Sequence, residues 1–167
     1  MYKLDRIDIA ILEAMQDNGR ITRSTLSEMV GLSQSPCHER VKRLEKAKLI
    51  SRYRAEVDIL QIAHVCIFYV TVKLGAHRAT DFQVFERAIR RHGEIIECHA
   101  LGGGIDYIMK VVANDINQYQ AFMDELLDSN IGISEYFTYI VTKPIKNDTG
   151  YPISDLVNGS RSGEDAR

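Results

Sequence analysis

The sequence predicts an α+β protein made of two parts, and two contrasts along the chain support this. Apolar residues recur at helical spacing before residue 50, whereas strand and helix patterns alternate from residue 65 onward. Residues 20–54 hold nine Lys or Arg against three Asp or Glu, a local charge of +6, and residues 61–167 hold ten against fourteen, a local charge of -4. The formal charge of -2 therefore hides a basic first part, which favours a polyanionic partner.

Composition limits the class of protein. The chain has 167 residues, of which 45% are hydrophobic, enough to build buried cores. The longest purely apolar run, residues 65–70, is too short to cross a bilayer, and charges interrupt the N-terminal region. The three cysteines are widely spaced, which fits neither a disulfide framework nor a zinc site. We therefore expect a cytoplasmic protein with reduced thiols and with no metal or cofactor.

Three short helices are expected before residue 50. Their apolar faces are formed by three sets of residues: Leu4, Ile7, Ile11 and Met15; Leu26, Met29 and Val30; Cys37, Val41 and Leu44. The second helix is expected to begin at Thr22, a good N-cap, and to end at Gly31, which tolerates a left-handed turn. The third is expected to begin near Ser33 or Ser35. Extended residues that could form a wing follow it.

Two short helices joined by a tight turn, of which the second is basic outside, are typical of a winged helix-turn-helix. In that fold the start of the recognition helix contacts base edges, and flanking cations contact phosphates. The candidate base-reading residues are Ser33, Gln34, Ser35 and His38. The candidate phosphate contacts are Arg20, Arg23, Arg40, Lys42, Arg43, Lys46, Arg52 and Arg54. A merely solvated basic face is the alternative, which three helices in this order make less favoured. The scarcity of aromatic residues before residue 60 favours double-stranded DNA over RNA.

The second part repeats a strand–helix–strand unit. Strands are expected over residues 65–74, 95–101, 105–113 and 133–142, with one helix after each of the first and third strands. The order βαββαβ is the ferredoxin-like arrangement, an antiparallel sheet with both helices on one face. Apolar residues occur on both faces of the strands. We therefore expect the helix-free face to pack against another subunit in a homodimer.

These patterns divide the chain into four segments. Residues 1–52 are expected to form the winged helix-turn-helix, residues 53–64 a linker strand and residues 65–146 the ferredoxin-like domain. The tail, residues 147–167, is rich in Gly, Ser, Asn and Asp, so most of it is expected to be flexible. Residues 151–157 hold enough apolar side chains to dock on a partner.

The chain resembles the Lrp/AsnC family of feast-or-famine transcriptional regulators over residues 4–146. The resemblance rests on four stretches, LDRIDIAILEAMQDNGRIT, LSEMVGLSQSPCHERVKRLEKAKLI, GGGIDYIMKV and TYIVTKPIK. It implies a promoter-binding winged helix-turn-helix, a linker strand and a ferredoxin-like (RAM-type) domain that dimerises and often assembles into an octamer. It also implies a small-molecule effector, usually an amino acid, bound near the loop before the third strand.

The effector-binding residues implied by the resemblance are Leu101, Gly102, Gly103, Gly104, Asp106, Tyr107 and Thr138. Gly102 and Gly104 depart from the family pattern, which usually has polar residues there, so the effector's identity stays open. Glycines let backbone N–H groups approach a ligand carboxylate, and Asp106 could hold its ammonium group. An ion pair across a dimer interface is the alternative role for Asp106.

Two other classes of function are the alternatives. An enzyme is not expected, because no nucleophile lies beside a positioned base, and the adjacent Cys98 and His99 point to opposite faces of a strand. An architectural DNA-binding protein without an effector remains the alternative to a sequence-specific regulator. The polar residues that begin the third helix favour sequence reading.

Overall fold

A computed structural model describes residues 2–147 and 149–162, with side chains through residue 159. The chain divides into two compact units. Among the described residues, the helical unit comprises residues 2–56 together with residues 146–147 and 149–162, and the sheet unit comprises Val57–Ile145. Within the described residues, none of the helices is long and apolar enough to span a membrane.

The helical unit begins with three helices: α1 (Arg6–Asp17), α2 (Arg23–Met29) and α3 (Gln34–Lys46). Asp5 caps α1, because its carboxylate accepts a hydrogen bond from the backbone N–H of Asp8 at 2.8 Å. Thr22 caps α2 as predicted. Gly31 turns the chain between α2 and α3 with a φ of +68°, a conformation that favours glycine. The three predicted helices are thus confirmed.

Side chains from all three helices form one small core. Its buried members are Ile11, Ala14, Leu26, Cys37 and Leu44. Full burial of an aliphatic side chain such as that of Leu44 contributes about 1.5–3 kcal/mol. This core fixes the inner face of α3 against the other two helices and leaves its outer face to solvent.

The predicted wing and linker strands are absent from the chain as described. Residues 51–58 have no regular secondary structure, and a single 3-10 turn follows at Ile59–Gln61. A strand needs a neighbouring backbone with which to exchange hydrogen bonds, and none of the described strands pairs with this segment. The prediction of a linker strand over residues 53–64 is therefore wrong for the single chain.

The sheet unit contains four antiparallel strands and two helices, in the predicted βαββαβ order: β1 (Cys66–Leu74), α4 (Ala79–Ile89), β2 (Ile95–Ala100), β3 (Tyr107–Ala113), α5 (Ile116–Asp128) and β4 (Ile133–Ile140). The spatial order of the strands is β2-β3-β1-β4. In the register, Val70 of β1 lies opposite Met109 of β3 and Thr138 of β4. Opposed residues point to the same face of the sheet, so the register fixes which side chains reach the core.

The core of the sheet unit lies between the sheet and the helices α4 and α5. Phe68, Val70 and Val72 of β1 are fully buried against it, and Phe85 of α4 is fully buried as well. On the opposite face of the sheet, Tyr69, Phe137 and Tyr139 are exposed. Several large apolar residues in the segment before β1 are exposed as well. These apolar residues before β1 are Val57, Ile59, Leu60 and Ile62.

The tail differs from its prediction. Residues Ile153–Ser162 form a helix, α6, which packs against α1 within the helical unit. The expectation of a mostly flexible tail is wrong for this segment, since contacts with α1 stabilise a helix that composition alone does not favour. The part of the predicted tail beyond residue 162 lies outside the described residues.

Candidate nucleic-acid interface and ligand site

The start of α3 is exposed and polar. Ser33 precedes the helix at the N-cap position, but its hydroxyl makes no capping hydrogen bond. Gln34 and Ser35 follow in the first turn, and all three side chains are exposed. The residues predicted to read bases thus form one accessible edge of the helical unit, except for His38, which is half-buried.

His38 lines a cleft of about 350 Å³ on one side of α3. Arg23 from the start of α2 and Lys42 from the next turn of α3 line the same cleft. Tyr53 closes one wall, and its hydroxyl donates a hydrogen bond to Glu45 at 2.6 Å. Partial burial, together with the Glu45 carboxylate, raises the pKa of Tyr53 to about 12. The fold therefore gathers three predicted DNA-binding side chains, Arg23, His38 and Lys42, around one cleft.

The other side of α3 faces acidic residues of α1. Arg43 Nη2 lies 2.6 Å from both carboxylate oxygens of Asp8, and Arg40 Nη1 lies 2.8 Å from Asp8 Oδ1. Arg40 Nη1 also lies 2.6 Å from Asp5 Oδ2. The Asp8 side chain is only 2% exposed, whereas that of Arg43 is 50% exposed. The Asp8 carboxylate therefore joins the recognition helix to α1 through two arginines.

Charges in this cluster stabilise one another. The backbone N–H of Asp8, and then the Arg40 guanidinium, lower the pKa of the Asp5 carboxyl below its usual value. Hydrogen bonds to Asp5 and Asp8 raise the pKa of Arg40. Arg40 and Arg43, which were predicted as phosphate contacts, thus have partners within the chain, and their role toward DNA stays a prediction.

Sequence reasoning missed Asp5 and Asp8, although two signals could have found them. Asp8 is a charged residue on the apolar stripe that Leu4, Ile11 and Met15 define, so its carboxylate had to face inward and needed a cation. An acidic pair three residues apart before an apolar run is also the pattern of a capping box, which the structure forms here.

The remaining predicted phosphate contacts are surface residues. Arg20 lies between α1 and α2, Lys46 ends α3, and Arg52 and Arg54 follow it; all four are exposed. Together with Arg23 and Lys42 they give the helical unit a set of solvent-facing cations.

In the sheet unit, the loop before β3 closes on itself. The backbone N–H of Leu101 donates to the Asp106 carbonyl at 2.8 Å, and the N–H of Asp106 donates to the Val72 carbonyl at 2.9 Å. The three glycines between them are exposed, and Gly103 has a φ of +142°. The predicted residues Leu101, Gly102, Gly103, Gly104 and Asp106 therefore share one loop of defined shape.

The Asp106 carboxylate has partners in its own chain. It accepts a hydrogen bond from the backbone N–H of Leu74 at 2.7 Å, and His77 Nε2 lies 3.1 Å from each of its oxygens. The Asp106 side chain is largely buried, whereas that of His77 is half exposed. Asp106 thus ties the end of β1 to the loop, and its oxygens meet a group that can carry positive charge.

The two predicted hydroxyl residues lie apart. Tyr107 is buried beside Phe85, and its hydroxyl donates to Glu86 Oε1 at 3.1 Å. Burial, helped by Glu86, raises the pKa of Tyr107 to about 12. Thr138 lies on the helix-covered face of β4, where its hydroxyl pairs with that of Tyr119. Because β3 and β4 flank β1 on opposite sides, the sheet does not place Tyr107 and Thr138 on adjacent strands.

A cleft of about 420 Å³ adjoins this loop between α4 and β2. Ala100 and Tyr107, which flank the loop, line it together with Glu86 and Cys98. Burial, followed by the nearby Glu86 carboxylate, raises the pKa of Cys98 to about 11, so its thiol stays protonated at neutral pH. Sequence reasoning did not predict this cleft, because it depends on how α4 packs over the edge strand.

Comparison with known proteins gives a family for both units. Residues 4–51 match the family model described as winged helix-turn-helix DNA-binding, and residues 67–151 match the Lrp/AsnC ligand binding domain. The chain belongs to the Lrp/AsnC family of transcriptional regulators. This confirms the family resemblance and, with it, a DNA-binding helix-turn-helix joined to a ligand-binding domain in one regulator.

Curated Lrp/AsnC relatives match most of the chain. It is 47% identical over 144 residues to the transcriptional regulatory protein DoeX of Halomonas elongata, covering 86% of this chain and 91% of the relative. It is 36% identical to the leucine-responsive regulatory protein of Escherichia coli, covering 86% and 87%. It is 35% identical to the proline dehydrogenase transcriptional activator of Rhizobium radiobacter, covering 86% and 92%. These relatives are regulators of transcription.

Solved structures of the family have the same fold. The transcriptional regulator NMB0573 of Neisseria meningitidis, in complex with L-Met, superposes with a TM-score of 0.86 at 32% identity, covering 92% of this chain and 99% of that one. An AsnC family regulator from Agrobacterium tumefaciens superposes with a TM-score of 0.85 at 26% identity, again covering 92% and 99%. The α+β fold with its two parts is thus confirmed.

Proposed function

We propose that this Lrp/AsnC regulator reads promoter DNA with the start of α3 and holds it through the cations around that helix. The observation that carries the proposal is the exposed polar edge Ser33–Ser35, with Arg23, His38 and Lys42 gathered around the neighbouring cleft. Short polar side chains suit contacts with base edges, and exposed lysines suit contacts with phosphates. Such a protein acts in the cytoplasm, where promoter DNA lies, and works as a regulator rather than as an enzyme.

The predicted DNA-binding cations divide into two groups, exposed residues and residues that are bonded to Asp8. Arg20, Arg23 and Arg52 are exposed, as are Lys42 and Lys46, and these five are proposed as phosphate contacts. Arg40 and Arg43 are proposed chiefly to position α3 through Asp8, because their guanidinium groups already bind that carboxylate. Arg43 keeps enough exposure to contact a phosphate as well.

The effector is proposed to be an amino acid bound at the loop Leu101–Asp106. The L-Met complex of a structural neighbour at 32% identity supports this class of ligand. Exposed glycine N–H groups suit a carboxylate, and Asp106 beside His77 suits a ligand ammonium group that displaces the imidazole. Tyr107 and Thr138 would then support the site from the core, since their hydroxyls are bonded to Glu86 and Tyr119.

A homodimer is proposed to form through the helix-free face of the sheet. Tyr69, Phe137 and Tyr139 are exposed there, and contiguous exposed apolar side chains of this size are typical of interfaces. Two copies would also present paired recognition helices to a near-palindromic site, about 34 Å apart. Assembly of dimers into an octamer stays a prediction.

The experiment that tests the effector proposal is a thermal-unfolding screen against the twenty common amino acids. A ligand at a hundred times its Kd adds about 2.7 kcal/mol to the free energy of unfolding, which raises Tm by several degrees. Asp106→Asn should abolish that response, because it retains an acceptor for Leu74 but loses the charge. Glu86→Gln is the comparison variant, because Glu86 lines the adjoining cleft.

The two variants separate the candidate locations. Loss of the response in Asp106→Asn alone supports the loop as the effector site. Loss in Glu86→Gln alone would move the site to the cleft between α4 and β2. No shift with any amino acid would contradict an amino-acid effector.

A further inference from the structure

The C-terminal segment returns to the helical unit and binds α1. Ser154, in the first turn of α6, donates its backbone N–H to Glu13 Oε1 at 2.9 Å, and its hydroxyl donates to the same oxygen. A carboxylate is well placed at a helix N-terminus, where free N–H groups carry partial positive charge. These hydrogen bonds lower the pKa of the Glu13 carboxyl below its usual value.

A second pair of hydrogen bonds lies one turn further along α1. The Gln16 side chain donates to the Tyr151 carbonyl at 2.8 Å and accepts from the Tyr151 N–H at 3.0 Å. The amide of Gln16 therefore binds the backbone of Tyr151 as a neighbouring strand would. This contact needs no particular side chain at residue 151, but it needs the backbone to come close.

Gly150 provides that close approach. Its φ is +82°, a conformation that side-chain-bearing residues rarely adopt, and a Cβ at this position would lie 2.6 Å from Gln16 Nε2. Residues 150–154 thus match the Glu13–Gln16 surface of α1 by backbone conformation and by hydrogen bonding. We name this contact between residues 150–154 and α1 the C-terminal clasp.

The clasp changes how the two units are connected. The chain passes from the helical unit to the sheet unit near Glu56 and passes back near Lys146. Without the clasp, only the first passage would join them, through residues 51–58 that have no regular structure. With the clasp, the chain joins the helical unit to the sheet unit at two points, near Glu56 and near Lys146. A second connection lowers the number of orientations that the unit can adopt.

We propose that the C-terminal clasp is a second tether that restricts the DNA-binding unit and so prepares the regulator to bind paired half-sites. This inference rests on the proposed recognition of paired DNA by a dimer. Restricting a binding module in advance lowers the entropy that is lost when both modules bind together, so it strengthens two-site binding. Binding of one module to one half-site gains nothing from it.

The test compares two kinds of DNA. The full chain first selects a two-half-site sequence from a random pool, and a second DNA carries one of these half-sites scrambled. Gly150→Ala should release the clasp by displacing Gln16, and a chain ending at Asn147 lacks it altogether. Gly159→Ala is the matched control, because a Cβ at that position in α6 meets nothing within 4 Å.

Both clasp variants should bind the two-half-site DNA about five- to tenfold more weakly than the wild type. Their affinity for the single half-site should stay within about twofold, and Gly159→Ala should match the wild type on both DNAs. Inserting about half a turn of the double helix between the half-sites should lower the DNA affinity of the clasp variants less than that of the wild type.

Three results would overturn the inference. They are wild-type affinity of the truncated chain for two-half-site DNA, an equal loss on both DNAs, and tighter binding without the clasp. The proposed DNA recognition fails separately, if the wild type itself does not prefer two half-sites over one.

Discussion

Removing the Asp8 carboxylate should destabilise the helical unit. Asp8→Ala deletes the shared acceptor of Arg40 and Arg43, which now contact it at 2.6–2.8 Å. A hydrogen bond to a charged group contributes about 1.5–3 kcal/mol, and breaking a buried ion pair costs about 3–5 kcal/mol. The two arginine side chains are 26% and 50% exposed, so water would solvate them after the change. We therefore expect a loss of about 2–4 kcal/mol.

Hydrogen exchange followed by mass spectrometry measures this loss locally. Peptides from α1 and α3 should exchange roughly 30- to 700-fold faster in Asp8→Ala, since each 1.4 kcal/mol changes an opening equilibrium about tenfold. Peptides from β1 and β3 should be unaffected. Asp8→Asn should show a smaller acceleration, because it keeps an oxygen acceptor without the charge.

Asp17 provides the matched control. It lies in the last turn of the same helix and is exposed, so Asp17→Ala should leave exchange unchanged or slightly slower. If α1 and α3 in Asp8→Ala exchange within about threefold of the wild-type rate, the carboxylate does not join the recognition helix to α1.

Three further predictions concern DNA and the clasp. Lys42→Ala should weaken binding to all DNA sequences and lower the slope of log K against log salt by about 0.9, and an unchanged slope in a salt titration would exclude a phosphate contact. Gln34→Ala should change the selected DNA sequence, at a cost of about 1–3 kcal/mol for the contacted base; equal losses on every sequence would exclude base reading. Docking of α6 should weaken as the pH falls below 4.5, the ordinary pKa of a Glu side chain. The docked Glu13 carboxyl has a lowered pKa and must stay ionised for α6 to dock. In the wild type, the protection of α6 amides from hydrogen exchange, corrected for intrinsic rates, should therefore decrease as the pH falls. The same pH dependence in Glu13→Gln would refute the role of Glu13.

The repeating elements could be predicted from the sequence because each has a local signal. The apolar faces of α1 to α3 repeat with helical spacing, and Thr22 and Gly31 mark where α2 begins and where the turn after it lies. The βαββαβ order follows from alternating patterns in the same way. These elements bury their apolar faces within their own unit, so local pattern and final structure agree.

The structure of residues 51–64 and of the tail could not be predicted this way, because it does not follow from local patterns. Residues 53–64 have extended, partly apolar character, but a strand forms only where another backbone pairs with it. Helix α6 has a Gly- and Ser-containing sequence of weak helical propensity, and its contacts with Glu13 and Gln16 join residues far apart in the sequence. Long-range polar contacts of this kind leave no periodic trace.

The locations of the candidate sites could be predicted from the sequence better than the partners of their charged side chains. The exposed start of α3 and the glycine loop lie where the sequence suggested. Arg40 and Arg43 are candidate phosphate contacts, and Asp106 is a candidate for ligand binding or for an ion pair; each has a partner within the chain. A sequence shows which side chains can bind a charge, whereas geometry decides which charge is nearest.

The affinity of the full chain for its selected DNA, compared with a scrambled DNA of the same length and at the same salt concentration, tests the central claim most directly. A sequence-specific regulator should bind the selected DNA at least about a thousandfold more tightly, and both Kd values should rise with salt. A ratio near one with equal salt slopes would contradict specific regulation and would instead describe an architectural DNA-binding protein of the same fold.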